Sequence, residues 1–428
     1  MKTIRHIFKA CSLAALSTSG ALAVAAPQPP SAPPQYWPGF HVTFPAKRTG
    51  FGGSSGGSPA HTQGSSGGSA SHSRLPLWSY YRQNSRDPYS YPGFAVGADP
   101  FHEGGNSQIR TYIVPVVIKT HTVGTGFTRD TDGNIIGMTA AAGDTIFDPT
   151  QPDTNCLGSS NNVPITLVRQ SPLFQEKRWK FGDTPVGNTQ YIDAFQRASF
   201  WRALGDNRDN YHVRFSPIQV LAPVVLDVPP DLGTTFPQYS PSLTPCGPAA
   251  LVDINYFDQW LDTVVIPALG SQGVDPNSLP IFVAGNVVWS NGGPPAFAPV
   301  AAGYHSFSSL STIQTYAVAE FGTENFWTWP DTFTLSHELA EWVNDPYGNN
   351  PTPAWGESGQ VAGCQDNFEV GDPLTGTFMP PAVGANGFPY SLQELAFFSW
   401  FFGGPSLGVN GWFSNNATFL TDAGPVCH

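Results

Sequence analysis

The sequence predicts an α+β fold: a small twisted sheet, a backing helix, a short site helix and a β-rich extension on the N-terminal side. Three observations lead there. The runs at 110–120, 281–289 and 313–321 are short, apolar and rich in β-branched residues, as strands are. Residues 248–266 repeat Leu251, Ile254, Phe257, Leu261 and Val264 at helical spacing. Residues 332–345 read as a second helix that places His337 and Glu341 one turn apart.

Composition sets the limits. The chain has 428 residues, of which 40% are hydrophobic and 13% aromatic, enough for a sizeable core. Charged residues are only 12%, about half the usual share. With 45 Gly and 42 Pro, the surface must be loop-rich and built from small polar residues. The net charge of −12 argues against a nucleic-acid partner, because phosphate contacts need Lys and Arg. It also leaves no basic face for anionic lipid.

The first 25 residues read as a secretory signal. Lys2, Arg5 and Lys9 precede an apolar stretch, and Ala21-Leu22-Ala23 and Ala23-Val24-Ala25 fit the small-x-small cleavage rule. A membrane anchor is disfavoured, since the apolar run is about 17 residues and Ser17 to Gly20 interrupt it. No later segment is expected to span a bilayer. Residues 26–76 are a Pro-rich stretch followed by Gly/Ser repeats, too polar to offset their ordering entropy, so a disordered linker is expected. His61 and His72 lie in it and are read as solvated. The folded part then divides into 77–245 and a site-bearing region at 246–428.

Four cysteines follow the signal: Cys156, Cys246, Cys364 and Cys427. An even number in an oxidising compartment predicts two disulfides. The pairing Cys156–Cys246 with Cys364–Cys427 is preferred, although spacing alone allows three pairings.

The remaining elements follow in chain order. Pro115 inside the 110–120 run predicts an edge strand or a bulge. Asp132-Gly133 predicts a hairpin turn, with Asp130 and Asp132 as turn acids rather than calcium ligands. Residues 190–204 predict a helix stopped by Gly205, and 212–228 one or two strands. Pro267 is expected to end the 248–266 helix, Asp331 to cap the site helix, and Pro346 to stop it. The chain is then irregular to about 388, a length of loop that is usually functional, with a last helix at 390–402.

The chemistry centres on Ser336-His337-Glu338-Leu339-Ala340-Glu341. In H-E-x-x-H helices two ligands sit one turn apart on zinc, and the Glu after the first His is the general base. Here Glu341 replaces the second His. His337 and Glu341 can share an ion, and Glu338, about 100° round the helix, stands where a general base would. Leu335, Leu339 and Trp342 form the anchoring stripe. With 10 His and nine Glu in the chain, H-E-x-x-E is expected by chance on the order of 0.005 times. Six of the nine Glu fall between Glu320 and Glu369. A solvent-facing helix carrying these residues without a metal is the competing reading.

A third ligand is needed. Asp345 would lie about 12 Å along the axis from His337, too far to share an ion. Glu357, Asp366, Glu369 and Asp372 remain, and Glu369-Val370-Gly371-Asp372 follows soon after Cys364.

The set His337-Glu338-Leu339-Ala340-Glu341, Asn344-Asp345-Pro346, Ala354-Trp355, Glu369-Val370-Gly371-Asp372 and the closing Cys427 resembles the C-terminal pattern of the plant EXORDIUM-like (phosphate-induced) proteins. It is still more similar to uncharacterised secreted bacterial proteins that carry an H-E-x-x-E helix. The resemblance covers residues 280–428. It implies a zincin-like core with His337, Glu341 and Glu369 or Asp372 at the metal. In the plant family a cysteine directly follows the E-x-x-D segment, whereas here Pro373 does, so disulfide pairing does not transfer. The plant family is linked to extracellular growth and has no assigned catalysis.

The expected function is therefore a secreted metal-dependent hydrolase acting on extracellular peptide or cell-wall material. Zn²⁺ or another divalent ion would sit on His337, Glu341 and Glu369, with Asp372 as the alternative and Glu338 as the base. The rival is a non-catalytic extracellular protein with a structural metal. His305 ranks lower, as a lone His without ligand spacing. Tyr347 and Tyr390 are possible oxyanion donors, and Trp327, Trp329, Trp342 and Trp355 possible cleft walls, but packing is the default for all of them. No Gly-x-Ser-x-Gly elbow supports a serine hydrolase.

Overall fold

The computed structural model describes residues 75–84, 86–102, 104–122, 128–129, 135–137, 143–236, 246–294, 298–308, 313–323, 329–356, 364–424 and 427. The expected signal, most of the linker, the Asp132-Gly133 turn, Trp327 and Glu357 lie outside these residues.

The chain is a mixed α+β structure whose centre is a seven-stranded sheet. Its strands are β1 (Asn106–Thr122), β2 (Gly143–Phe147), β3 (His212–Val220), β4 (Val224–Val228), β5 (Ser278–Gly285), β6 (Gly303–Ser308) and β7 (Gln314–Phe321). The order is β4-β1-β5-β7-β6, with β2 and β3 also on β1. β1 runs parallel to β3, β4 and β5, and β5 parallel to β7. β6 closes one edge antiparallel to β7. Strands from both sides of residue 246 thus share one sheet.

Pro115 is not on an edge, contrary to expectation. It sits in the middle of β1, opposite Val283 of β5. On its other side β1 changes partner, from β3 at Ile113↔Val220 to β4 at Val116↔Val224. The Ile113 carbonyl accepts from Leu221 N–H on that side, and groups two residues apart point the same way. The donor that Pro115 lacks would therefore face the gap between β3 and β4, where no ladder bond is lost.

Period-two alternation sorts the core into two layers. Ile109, Ile113, Ile281, Val283, Ala317 and Ala319 face one way, onto helix α1 (Tyr191–Ser199) and helix α3 (Phe333–Asn344). Tyr112, Val114, Phe282, Ala284, Tyr316 and Val318 face the other way, onto helix α2 (Ile254–Trp260). α3 lies across β7 and β6 and has no exposed residue. Leu335, Leu339 and Trp342 anchor it, joined by Ala340 and Val343. The polar side chains of α3 thus point into protein, not into solvent.

Three helix expectations need correction. Residues 249–253 form a strand buried along its whole length, so the helix begins at Ile254, with the Asp253 carboxylate accepting from Tyr256 N–H. Pro267 does not end it. A π-turn at Leu261–Val265, with Ile266 N–H bonded to Leu261 C=O, precedes the proline, and the helix resumes to Leu269. The lengthened turn accommodates a residue without an N–H. The last helix is only Phe398–Phe402; ahead of it Ser391 and Gln393 bond to Asp331 and Ser336, and Ala396 N–H to Val370 C=O. The 281–289 run is split at Asn286 into β5 and a second strand, Val287–Asn291, that joins a different sheet. The helix at 190–204 is present as α1 and a turn at Trp201–Leu204.

Both preferred disulfides, Cys156–Cys246 and Cys364–Cys427, are formed. No helix among the described residues is long and apolar enough to cross a membrane.

Asp331 is not the N-cap that its position suggests. Thr332 holds that place without a side-chain cap bond, and Asp331 has a left-handed backbone, φ 47°. Its carboxylate accepts from Thr332 N–H and from Ser391 N–H at 2.9 Å, tying the start of α3 to the 391 segment. Burial pushes this carboxyl up to about 6, against the downward pull of those donors. The folded chain thus holds the Asp331 proton more tightly than the unfolded chain. Its contribution to stability is present below the ordinary carboxylate range and is lost as pH rises through about 6. The loss is about 3 kcal/mol by neutral pH. Asp331→Asn keeps the acceptor and removes the ionisation. Thermal denaturation is expected to show this variant more stable than the wild type at pH 7 and no more stable at pH 4; equal stability at both would refute the assignment.

Candidate metal centre

The centre is built on α3, on β6 and on the segment 369–372, with one residue from 393. His337, Glu338, Glu341, Glu369 and Asp372 are each 0% exposed, and His305 is 1%. Carboxylates are seldom buried so fully unless something positive compensates them.

His337 and Glu341, one turn apart on α3, come together with His337 Nε2 3.0 Å from Glu341 Oε2. Asp372 Oδ1 lies 3.5 Å from the same nitrogen. Donor atoms of His337, Glu341 and Asp372 all fall within 4.8 Å of one another. Glu369 does not join this group. Its Oε1 accepts from Asn367 Nδ2 at 2.8 Å, and its Oε2 lies 4.0 Å from His305 Nε2. The three residues Glu369-Val370-Gly371 lead into a 3-10 turn that starts at Asp372, and this turn carries Asp372 rather than Glu369 to His337.

Gln393 decides which way the His337 ring is protonated. Its Nε2 donates to Gly371 C=O at 2.6 Å, an atom that can only accept. Its Oε1 must then be the atom 3.0 Å from His337 Nδ1, so Nδ1 carries the hydrogen and donates. In the neutral ring Nε2 presents a lone pair to Glu341 and Asp372. A lone pair and a carboxylate oxygen 3.0 Å apart repel unless a proton or a cation lies between them. One imidazole and two carboxylates that converge in this way suit a divalent ion, and the amide behind the ring is the support that metal-ligating histidines usually have.

Gly371 shapes the same corner. Its N–H donates to Glu341 Oε1 at 3.0 Å, which leaves Oε2 as the oxygen turned to the imidazole. A Cβ on Gly371 would lie 2.4 Å from His337 Nδ1, so the close approach needs glycine for space. Gly303 on β6 has a similar role, since a Cβ there would meet Thr334 Cγ2 at 2.7 Å and Glu338 Cγ at 2.9 Å.

Glu338 turns toward β6. Its Oε2 lies 3.6 Å from His305 Nδ1, and Glu341 Oε2 lies 3.8 Å from the same atom. His305 Nε2 is 2.9 Å from the Asp345 carbonyl and must donate to it, so the second ring nitrogen faces the carboxylates. His305, Glu338 and Glu341 thus form a second group of potential ligands within 4.8 Å. This histidine, ranked low on sequence, belongs to the centre. β6 pairs His305 with Ala317 of β7, on the face that packs on α3.

Asp345 lies outside both groups. Its carboxylate accepts from Asn349 N–H at 3.0 Å and Asn350 N–H at 2.8 Å, closing the end of α3. Burial, with nearby Glu369 adding to it, pushes this carboxyl up to about 7. Tyr390 donates to Leu167 C=O, and Tyr347 packs edge-on against Phe307. Trp342 and Trp355 are fully buried, and Trp329 nearly so. Tyr390 is thus engaged elsewhere, and the three tryptophans pack inside rather than line an open cleft. Asp366 lies in the short strand Gln365–Asn367 and is in neither ligand group.

Gln393 had no signal in the sequence. Its only distinction is where the fold puts it, with its N–H on Ser336 Oγ at 2.9 Å and its amide behind His337. Gln393→Leu removes the acceptor for His337 Nδ1–H. It is expected to weaken divalent-ion binding about 10–100-fold in a metal titration; unchanged affinity would mean that the amide does not orient the ring.

No family model matches the chain, and neither a curated protein nor a solved structure matches it.

Proposed function

We propose that this protein is a secreted metal-dependent hydrolase, with extracellular peptide or cell-wall material as substrate. In this reading its core is zincin-like and related to the EXORDIUM-like proteins. A divalent ion is held by His337, Glu341 and Asp372. The observation that carries the reading is the His337 Nε2 lone pair, fixed by Gln393 and aimed at two carboxylates, with Glu338 next to it on the same helix.

When bound, such an ion supplies Lewis acidity and lowers the pKa of a water molecule. Glu338 would take the proton from that water and pass it to the leaving amine. Glu341 and Asp372 are anionic where a neutral imidazole would leave more positive charge on the ion. That weakens its Lewis acidity and opens the site to harder ions such as Mn²⁺ beside Zn²⁺. Two disulfides fit an exported protein.

One observation favours a second reading. Every donor is buried, and closed sites are typical of structural rather than catalytic metals. A non-catalytic extracellular protein stabilised by its metal is therefore the rival.

Elemental analysis of purified protein is the first test. The wild type is expected to retain a divalent ion and His337→Ala to lose it; a metal-free wild type would rule out both readings. Hydrolysis of a peptide library separates the two. Glu338→Gln is expected to lower turnover at least about 100-fold. Turnover that survives Glu338→Gln removes Glu338 from the mechanism. No turnover by the wild type, together with a large fall in Tm on chelation, would establish the structural role.

A further inference from the structure

We infer that the centre holds two cations rather than one, with Glu341 as the bridge between them. The inference deepens the proposed metal-site reading and rests on it.

The two ligand groups, His337-Glu341-Asp372 and His305-Glu338-Glu341, share a single residue. They also share a single atom. Glu341 Oε1 is engaged by Gly371 N–H, while Oε2 faces both imidazoles, at 3.0 Å from His337 Nε2 and 3.8 Å from His305 Nδ1. A carboxylate oxygen turned to two nitrogen ligands from opposite groups has the placement of a bridging ligand.

The second group meets the same test as the first. Asp345 C=O can only accept, so His305 Nε2 carries a hydrogen. The neutral ring then presents Nδ1 as a lone pair to Glu338 Oε2 at 3.6 Å and Glu341 Oε2 at 3.8 Å. An arrangement of one nitrogen and two carboxylate oxygens, held at these distances away from water, suits a cation. Backbone anchoring behind the histidine matches the Gln393 amide behind His337: in each case a fixed acceptor selects the tautomer that points a lone pair inward.

Charge runs in the same direction. Glu338, Glu341 and Asp372, the three carboxylates of the two groups, are each 0% exposed. Ionised together, they exceed the charge of one divalent ion. Burial penalises whatever charge is left over. Glu369 Oε2 lies 4.0 Å from His305 Nε2, the nitrogen that donates to Asp345 C=O, and belongs to neither group. Glu338 can hold the second ion through Oε2 and still accept a proton on its other oxygen, so the base assignment survives.

The protein loaded with Mn²⁺ tests this. Elemental analysis is expected to give two Mn²⁺ per chain, and electron paramagnetic resonance the spectrum of a spin-coupled pair. His305→Ala and Glu338→Gln should each reduce this to one ion with an isolated-ion spectrum. The wild-type spectrum is decisive even if a variant fails to fold. One ion per chain, or two without coupling, overturns the two-cation centre and leaves the single-ion site intact. A bridged pair that persists in both variants overturns the assignment of the second group. No bound ion overturns the underlying metal-site reading as well.

Discussion

Helix α3 presents no residue to solvent, and this constraint organises the centre. A helix that is apolar throughout can be buried by packing alone. α3 instead takes Ser336, His337, Glu338 and Glu341 into the interior with it. Each of these polar groups needs a partner that water cannot supply. The chain meets part of the demand with fixed groups on other elements: Gly371 N–H on Glu341 and the Gln393 amide on His337. Ser336 in turn accepts from Gln393 N–H and holds the 393 segment in place. A network thus positions the side chains on which the proposed metal site draws.

The sheet makes that burial feasible. β1 is long enough to pair with four other strands, and the strict alternation along β5 and β7 supplies two apolar faces from the same strands. One face carries α2, and the other carries α1 and α3. Close approach of α3 to the edge strand β6 requires Gly303, because any side chain there would strike Thr334 and Glu338. The same closeness brings His305 into reach of the helix. Packing and chemistry therefore depend on the same contact.

Much of this was legible in the sequence. The strand at 110–120, the buried strand at 313–321, the site helix and the number of disulfides, though not their pairing, follow from local content and cysteine number. His337 and Glu341 follow from helical spacing, and the exclusion of Asp345 from helix rise. Boundaries were less legible where apolar runs serve either structure. Residues 249–253 lie in phase with the following helix, yet pair as a strand. Pro115 suggested an edge or a bulge because the sequence does not reveal that two strands, β3 and β4, meet opposite it.

The division follows from range. Periodicity, helix rise and residue chemistry act over a few neighbours, so the chain itself specifies a helix with His337, Glu338 and Glu341 on adjoining faces. Which distant groups face it depends on how the sheet is ordered and on where the loops return. Glu369 and Asp372 are three residues apart and chemically alike, and only the turn at 372–374 sends the second of them to His337. His305 and Gln393 carry no local mark at all. They belong to the centre because β6 pairs beside β7 and the 391–393 segment runs back along α3.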